Sequence, residues 1–186
     1  NFLQEILWAI HFSGYQSRSD ERARIDRLLQ EEADFGRKIL EARAALIGRA
    51  GPSMLRSAIE YELEKVQIRI FLLFSVTYPS ASIMLIWSNF KEGSNEKKDI
   101  ALELLDNTLK SDHKELALPI LAPPSITSAD TEEIVIETIL TQPDTWANPW
   151  LLACTIHSAQ FLSMDGKEEL IQPYLDHPDR AVSEAA

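Results

Sequence analysis

Between Ile70 and Phe90 the chain runs through 21 consecutive residues without a charged side chain. A stretch this long must be removed from water, either in lipid or inside protein. Its interior decides against a single span. Pro79 stands in the middle, where a helix cannot continue unbroken. Ser75, Thr77, Tyr78, Ser80, Ser82, Ser88 and Asn89 add polar groups along its length. The segment therefore predicts two short helices folded back on each other and buried in protein. That much burial needs a sizeable core. The 186 residues, 45% hydrophobic and 25% charged, can supply one. Six glycines and only short β-branched runs favour helix over sheet.

The rest of the chain reads as helices separated by short breaks. Leu3–Phe12 is apolar and ends at Ser13-Gly14. Ser19 is placed to cap a long helix reaching towards Arg49. Its apolar residues Ile25, Leu28, Leu29, Phe35, Ile39, Leu40, Leu46 and Ile47 recur at helical spacing, and Arg27/Glu31 and Asp34/Lys38 sit one turn apart. Ala50-Gly51-Pro52-Ser53 ends one helix and starts the next, with Ser53 as cap, over about Met54 to Tyr78. Asn95 is expected to cap Glu96–Lys110, with Ile100, Leu104, Leu105 and Leu109 facing inward. A short helix from Ser111 should stop before Pro119. Further helices are expected over Thr131–Leu140, Trp150–Ser163 and Lys167–Gln172. The last opens after Pro178-Asp179. Pro123-Pro124-Ser125 is the sharpest discontinuity, since a double proline cannot continue a helix, and it divides the chain into residues 1–122 and 125–186.

Past that boundary the chain echoes itself. Gln142-Pro143-Asp144 before an apolar stretch returns as His177-Pro178-Asp179 before Ala181, Val182 and Ala185. Such an echo is what stacked helix pairs leave in sequence, because each pair buries its apolar face on the next. The expected fold is all-α, with antiparallel helix pairs stacked as an irregular α-solenoid.

Charge and cysteine content narrow the function. The net charge of −11 opposes nucleic-acid binding, which needs a basic surface to neutralise phosphates. The acid is unevenly spread: 8 basic and 7 acidic side chains lie between Ser17 and Arg49, against 3 basic and 13 acidic between Ser111 and Ala186. The acidic half serves either as a solvated surface or as a docking face for a basic partner, with Glu132, Glu133 and Glu137 as its contacts. Trp146 and Trp150, one turn apart if the segment is helical, are possible anchors of an interface, or core residues. A single cysteine, Cys154, excludes an internal disulfide. The chain starts at Asn1 without a signal pattern and stops at Ala186 inside what reads as a new helix, as a piece of a longer protein would.

The residues that carry chemistry do not assemble into a known pattern. His11, His113, His157 and His177 include no pair at i,i+4, and each reads as core packing or surface. Asp165-Gly166-Lys167 lacks the alternating oxygen ligands of a calcium loop. Cys154 and His157 share a helical face, the arrangement that can activate a thiol, but their surroundings are apolar and an inert buried thiol is the simpler reading. Glu60 and Glu64 share a face with Arg56, Lys65 and Arg69 close by, which makes an ion-pair ladder along the helix. No catalytic residue, cofactor or metal is expected.

Two stretches resemble known families. Pro143-Asp144 followed by Trp150-Leu151-Leu152-Ala153-Cys154, and Pro178-Asp179 with Val182, resemble the turn and first helix of a HEAT repeat. Tyr61-Glu62-Leu63-Glu64-Lys65, Arg69 to Leu73, Tyr78-Pro79, Ala101 to Asn107 and Leu118-Pro119-Ile120-Leu121 resemble HEAT-containing bacterial proteins similar to ATP/ADP translocases. That resemblance implies a soluble helical module, facing the cytoplasm, of a protein whose membrane part lies in a flanking segment. No nucleotide-contacting residue of the family maps onto this sequence. The expectation is a non-enzymatic interaction or regulatory module whose partner is another protein or another domain of the same chain. A free-standing scaffold for a basic segment is the alternative. A helical-repeat enzyme of lyase or glycosylase type is the third.

Overall fold

The computed structural model describes residues 2–47, 53–123, 130–146, 148–162 and 164–186. Among them are ten α-helices and one 3-10 turn, with no strand. The helices are α1 Phe2–Phe12, α2 Arg22–Ala45, α3 Ser53–Thr77, α4 Ser80–Glu92, α5 Asn95–Thr108, α6 Ser111–Leu121, α7 Glu132–Thr141, α8 Pro149–Phe161, α9 Lys167–Ile171 and α10 Arg180–Ala185. The all-α class matches the expectation. The uncharged run from Ile70 is split at Pro79 into the end of α3 and most of α4. No helix among the described residues is long and apolar enough to cross a membrane.

The chain divides into two compact units, Asn1–Lys38 with Leu63–Ser125, and Ile39–Glu62 with Ile126–Ala186. The junction expected at Pro123-Pro124-Ser125 falls on residues of which Pro124 and Ser125 lie outside the described ones. Residues 39–62, which the sequence reading kept with the N-terminal part, group with the C-terminal unit.

In the first unit, Leu29 and Ala33 of α2 join Val66, Ile70, Phe71 and Phe74 of α3, with Ile83, Ile86 and Phe90 of α4, in the core. Each fully buried phenylalanine contributes roughly 1.5–3 kcal/mol of apolar transfer energy. A Cβ at Gly36 of α2 would lie 3.0 Å from the Ile120 side chain and 3.2 Å from Val66, so the missing side chain is what lets these helices approach. One member of the ion-pair ladder expected along α3, Arg69, reaches to a neighbouring helix. Arg69 Nη2 pairs with Glu32 of α2 at 2.8 Å, with both side chains at most 10% exposed. Asp34 on α2 pairs with Arg37 and accepts from Gln30.

In the second unit, Val135, Ile136, Ile139 and Leu140 of α7 face Leu151, Leu152, Ile156 and Ala159 of α8 across an aliphatic core. Nearly every residue from Leu151 to Ala159 is buried, because α8 packs on both α7 and α10. The short α9 touches α7 and α8, and the 3-10 turn Gln172–Tyr174 sends the Tyr174 hydroxyl to Leu140 O at 2.6 Å. In residues 39–62, Arg43 Nε pairs with Glu60 at 2.6 Å.

The helix ends show where local chemistry decided. Ser94, not Asn95, caps α5 through the Lys97 amide. Thr131 caps α7, Asn148 caps α8 with Pro149 in the first turn, and Asp179 caps α10. Helix α2 begins at Arg22, three residues beyond Ser19. The Glu21 carbonyl takes the Ile25 amide, and its carboxylate takes the Arg18 amide and the Tyr15 hydroxyl. Helix α6 runs through Pro119 to Leu121, because a proline this close to the C-terminal end disturbs little beyond one turn. On α5, Leu105 and Leu109 are buried as expected, while Ile100 and Leu104 are exposed. The helix buries Ala101 and Leu105, with Leu109 just beyond its end, and Asp106 pairs with Lys114 of α6 at 3.3 Å. The cap expected of Ser53, the stop at 50–52 and the Ser128-Ala129 start fall outside the described side chains.

Candidate functional site

The residues expected to meet a partner lie on α7, on the turn after it and on the start of α8. The structure separates them. Glu133 and Glu137 are exposed one turn apart on α7, with exposed Ile134 beside them. Glu132, in the first turn of the same helix, is only 6% exposed and cannot serve as a surface contact. Trp146 is 2% exposed and belongs to the core, whereas Trp150 is 49% exposed. Their expected one-turn spacing fails because the helix does not start until Pro149, leaving Trp146 in the turn. The surviving surface is acidic with apolar side chains set in it: Glu133, Ile134 and Glu137, and separately Trp150.

Asn148 builds the entry to α8. Its Oδ1 accepts the Trp150 amide at 2.9 Å, and its Nδ2 donates to the buried carboxylate of Glu62. One side chain thus starts a helix and ties it to α3. Lys167, after the left-handed Gly166 (φ 72°), points its ammonium at the carbonyls of Gln160 and Leu162 at the end of α8. A cation there complements the helix dipole. The Asp165-Gly166-Lys167 motif is thereby a turn and a helix start. Beside it opens a groove of about 550 Å³, whose walls include Gln160, Lys167, Glu168, Ile171 and Leu175.

The thiol of Cys154 is buried, and that burial pushes its pKa up. A raised thiol is a poor nucleophile, the reverse of what a His-activated cysteine needs. His157, on the same helix, packs its ring on Phe161 at 4.9 Å between centroids. Among the described residues no three His, Cys, Asp or Glu side chains converge as metal ligands would.

The most organised polar cluster was not legible in the sequence. It joins α2, the end of α3 and the start of α6. The Lys110 amide donates to the Tyr78 hydroxyl oxygen at 3.1 Å, so the Tyr78 proton is free to point at His113 Nδ1, 2.8 Å away. Nδ1 is then the bare nitrogen, and Nε2–H donates to Asp26 at 3.0 Å. Phe74 stacks on the imidazole at 5.8 Å. The order hydroxyl, imidazole, carboxylate is that of a nucleophile–base–orienter set. The chemistry differs, because burial raises the Tyr78 pKa and holds the phenol protonated. The set works as a polar clamp joining α2, the residue after α3, and α6. Its members are 35 and 87 residues apart from His113, so no local spacing announces it.

Comparisons with protein-family models, with curated proteins and with solved structures give no match.

Proposed function

We propose that the chain is a non-enzymatic helical-repeat module that binds protein. The observation that carries this reading is the order of packing in the second unit. Helix α8 packs on α7 before it and on α10 after it, while α9 reaches back to α7. Contacts between next-but-one helices are what a stack of helix pairs requires, one layer made of the first helices and one of the second. Together with the recurring Pro-Asp turns, this supports a HEAT-like solenoid. The high thiol pKa of Cys154 and its burial work against the lyase-type alternative.

The likeness of the stretch from about Tyr61 to Ala186 to translocase-like proteins supports a place beside a membrane-embedded part, on the cytoplasmic side of a bacterial inner membrane. Fractionation of the full-length chain tests this: carbonate-resistant sedimentation with membranes is expected, and complete recovery in the soluble fraction overturns it.

The exposed Glu133, Ile134 and Glu137 on α7 favour a second reading in which the module docks a basic amphipathic segment. Carboxylates would pair with Lys or Arg and Ile134 with the apolar side. Fluorescence anisotropy with a labelled Lys/Leu peptide checks it. Binding should weaken as salt rises and fall at least about tenfold in the Glu133→Gln/Glu137→Gln variant. Affinity that ignores both would rule this surface out.

A further inference from the structure

We propose that Tyr78, His113 and Asp26 form a proton-operated latch on the joint between α5 and α6, closed while the His113 imidazole is neutral and released when it gains a proton. Leu109 and Lys110 run extended between the two helices, and Lys110, at the cap position of α6, gives no side-chain cap. Its amide instead donates to the Tyr78 hydroxyl oxygen at 3.1 Å, which ties the joint to the residue after α3.

Release follows from how many bonds each atom can make. In the ring plane a phenol oxygen has one place for its own proton and one for an incoming donor. At Tyr78 the proton goes to His113 Nδ1, 2.8 Å away, and the incoming donor is the Lys110 amide. A neutral imidazole fits, with Nδ1 accepting and Nε2–H donating to Asp26 at 3.0 Å. An imidazolium does not, because both nitrogens then carry protons. His113 is only 6% exposed, so the new Nδ1 proton has the Tyr78 oxygen to go to rather than solvent. There it competes with the Lys110 amide. The charged donor makes the stronger bond, and the neutral amide is displaced. The Tyr78 proton turns to water, which this half-buried side chain reaches. At the same time the Nε2 bond to Asp26 becomes an ion pair. Acid thus moves the anchorage of α6 from the end of α3 to α2.

The charges around the ring come from each neighbouring element. Asp26 and Arg22, one turn apart on α2, bring one charge of each sign to the Tyr78 hydroxyl. Lys110 and Asp112 flank His113 along the chain, and Lys114 is held by Asp106 of α5 at 3.3 Å. Phe74 of α3 covers the face of the ring with an uncharged stack. Among all these groups the imidazole is the kind that ordinarily changes charge between about pH 5 and 8.

Nuclear magnetic resonance of the isotope-labelled full chain, titrated from about pH 8 to 5, tests the proposal. Nitrogen–proton correlations of the His113 ring should show a proton on Nε2 alone at the alkaline end and on both nitrogens at the acid end. The Lys110 amide signal should move with the same midpoint, and its protection against hydrogen exchange should fall about tenfold across it. In Tyr78→Phe the amide should be unprotected at both ends, and in His113→Gln, which cannot take up a proton, its midpoint should vanish. A proton on Nδ1 at the alkaline end overturns the latch. So does a ring that keeps one charge throughout, or a Lys110 amide that ignores the ring. These three readings come from the unaltered chain and do not depend on a variant that folds. A Lys110 midpoint that survives in His113→Gln overturns it as well, since another group would then be the source.

Discussion

Helix α8 and the junction of α2, α3 and α6 bury polar side chains in opposite ways. On α8, Thr155 and Ser158 are fully buried and each hydroxyl returns to a carbonyl of its own helix, Leu151 and Cys154, at 2.7 Å. The polar atoms are satisfied within one turn, so Thr155 and Ser158 ask no hydrogen bond of the neighbouring helices. At the junction, Arg69, Tyr78 and His113 find their partners on other elements. Burial is similar in the two places, but the consequences of losing a group are not. A self-satisfied hydroxyl can vanish without stranding anything. A cross-linking group leaves its partner buried and unmet.

The largest break in this contrast should come from Arg69→Ala. It leaves Glu32 buried without its guanidinium, and should destabilise the fold by about 3–5 kcal/mol in urea unfolding. The Nε and Nη1 of Arg69 have no acceptor among the described residues, so the pair is not ideal even intact. Replacing both members with Leu and Met should accordingly recover most of the loss. Leu151→Ala, in the fully buried part of α8, should cost about 2–5 kcal/mol by cavity formation, with no such rescue. Tyr78→Phe removes a donor from His113 Nδ1 and an acceptor from the Lys110 amide. A loss of about 1–3 kcal/mol is expected from thermal or urea melts. Thr155→Val, on the other side of the contrast, should stay within about 0.5 kcal/mol, since the Leu151 carbonyl retains its place in the helix. A loss there as large as that of Tyr78→Phe would erase the distinction.

Titration sharpens the same picture. Burial raises the folded-state pKa of Cys154, Tyr78 and Tyr174. Each is an acid that holds its proton better when folded. The stability it adds is full below its unfolded-state value and is lost as pH rises through its folded one. Stability should thus decline on the alkaline side, beginning with the thiol. Native Cys154 should react with a thiol reagent far more slowly than the unfolded chain. Glu21 behaves in the opposite sense. The Tyr15 hydroxyl, then the Arg18 amide, hold its carboxyl below the usual range. Its contribution at the start of α2 is present above the unfolded pKa and fades as pH falls through the folded one.

What the sequence carried legibly was the local part. The break at Pro79, the helix expected over Thr131–Leu140, the Pro-Asp turns and the start of the last helix after Pro178-Asp179 are each set within a few residues. The errors arose where a partner lies far along the chain. Glu60 and Arg69, read within their own helix, have partners on α2, Arg43 and Glu32, that no local spacing announces. Ile100 and Leu104 keep helical spacing with Leu105 but fall outside the arc that α5 buries. Of the five residues set aside for a partner, Glu132 and Trp146 went into the interior, since nothing in their local pattern records burial. Glu133, Glu137 and Trp150 remain at the surface. The Tyr78–His113–Asp26 chain has no sequence signature, because its three members come from three elements.

Asn148 is followed by Pro149, and the pairing has a bearing on chemical ageing. Spontaneous deamidation of an asparagine begins when the next residue's amide nitrogen attacks its side chain, and a proline nitrogen has no hydrogen to give up. Conversion of Asn148 to an aspartate would keep the cap on the Trp150 amide but turn the donor into a second carboxylate against Glu62, breaking the tie between α8 and α3. The residue that opens the helix also closes off that route of decay.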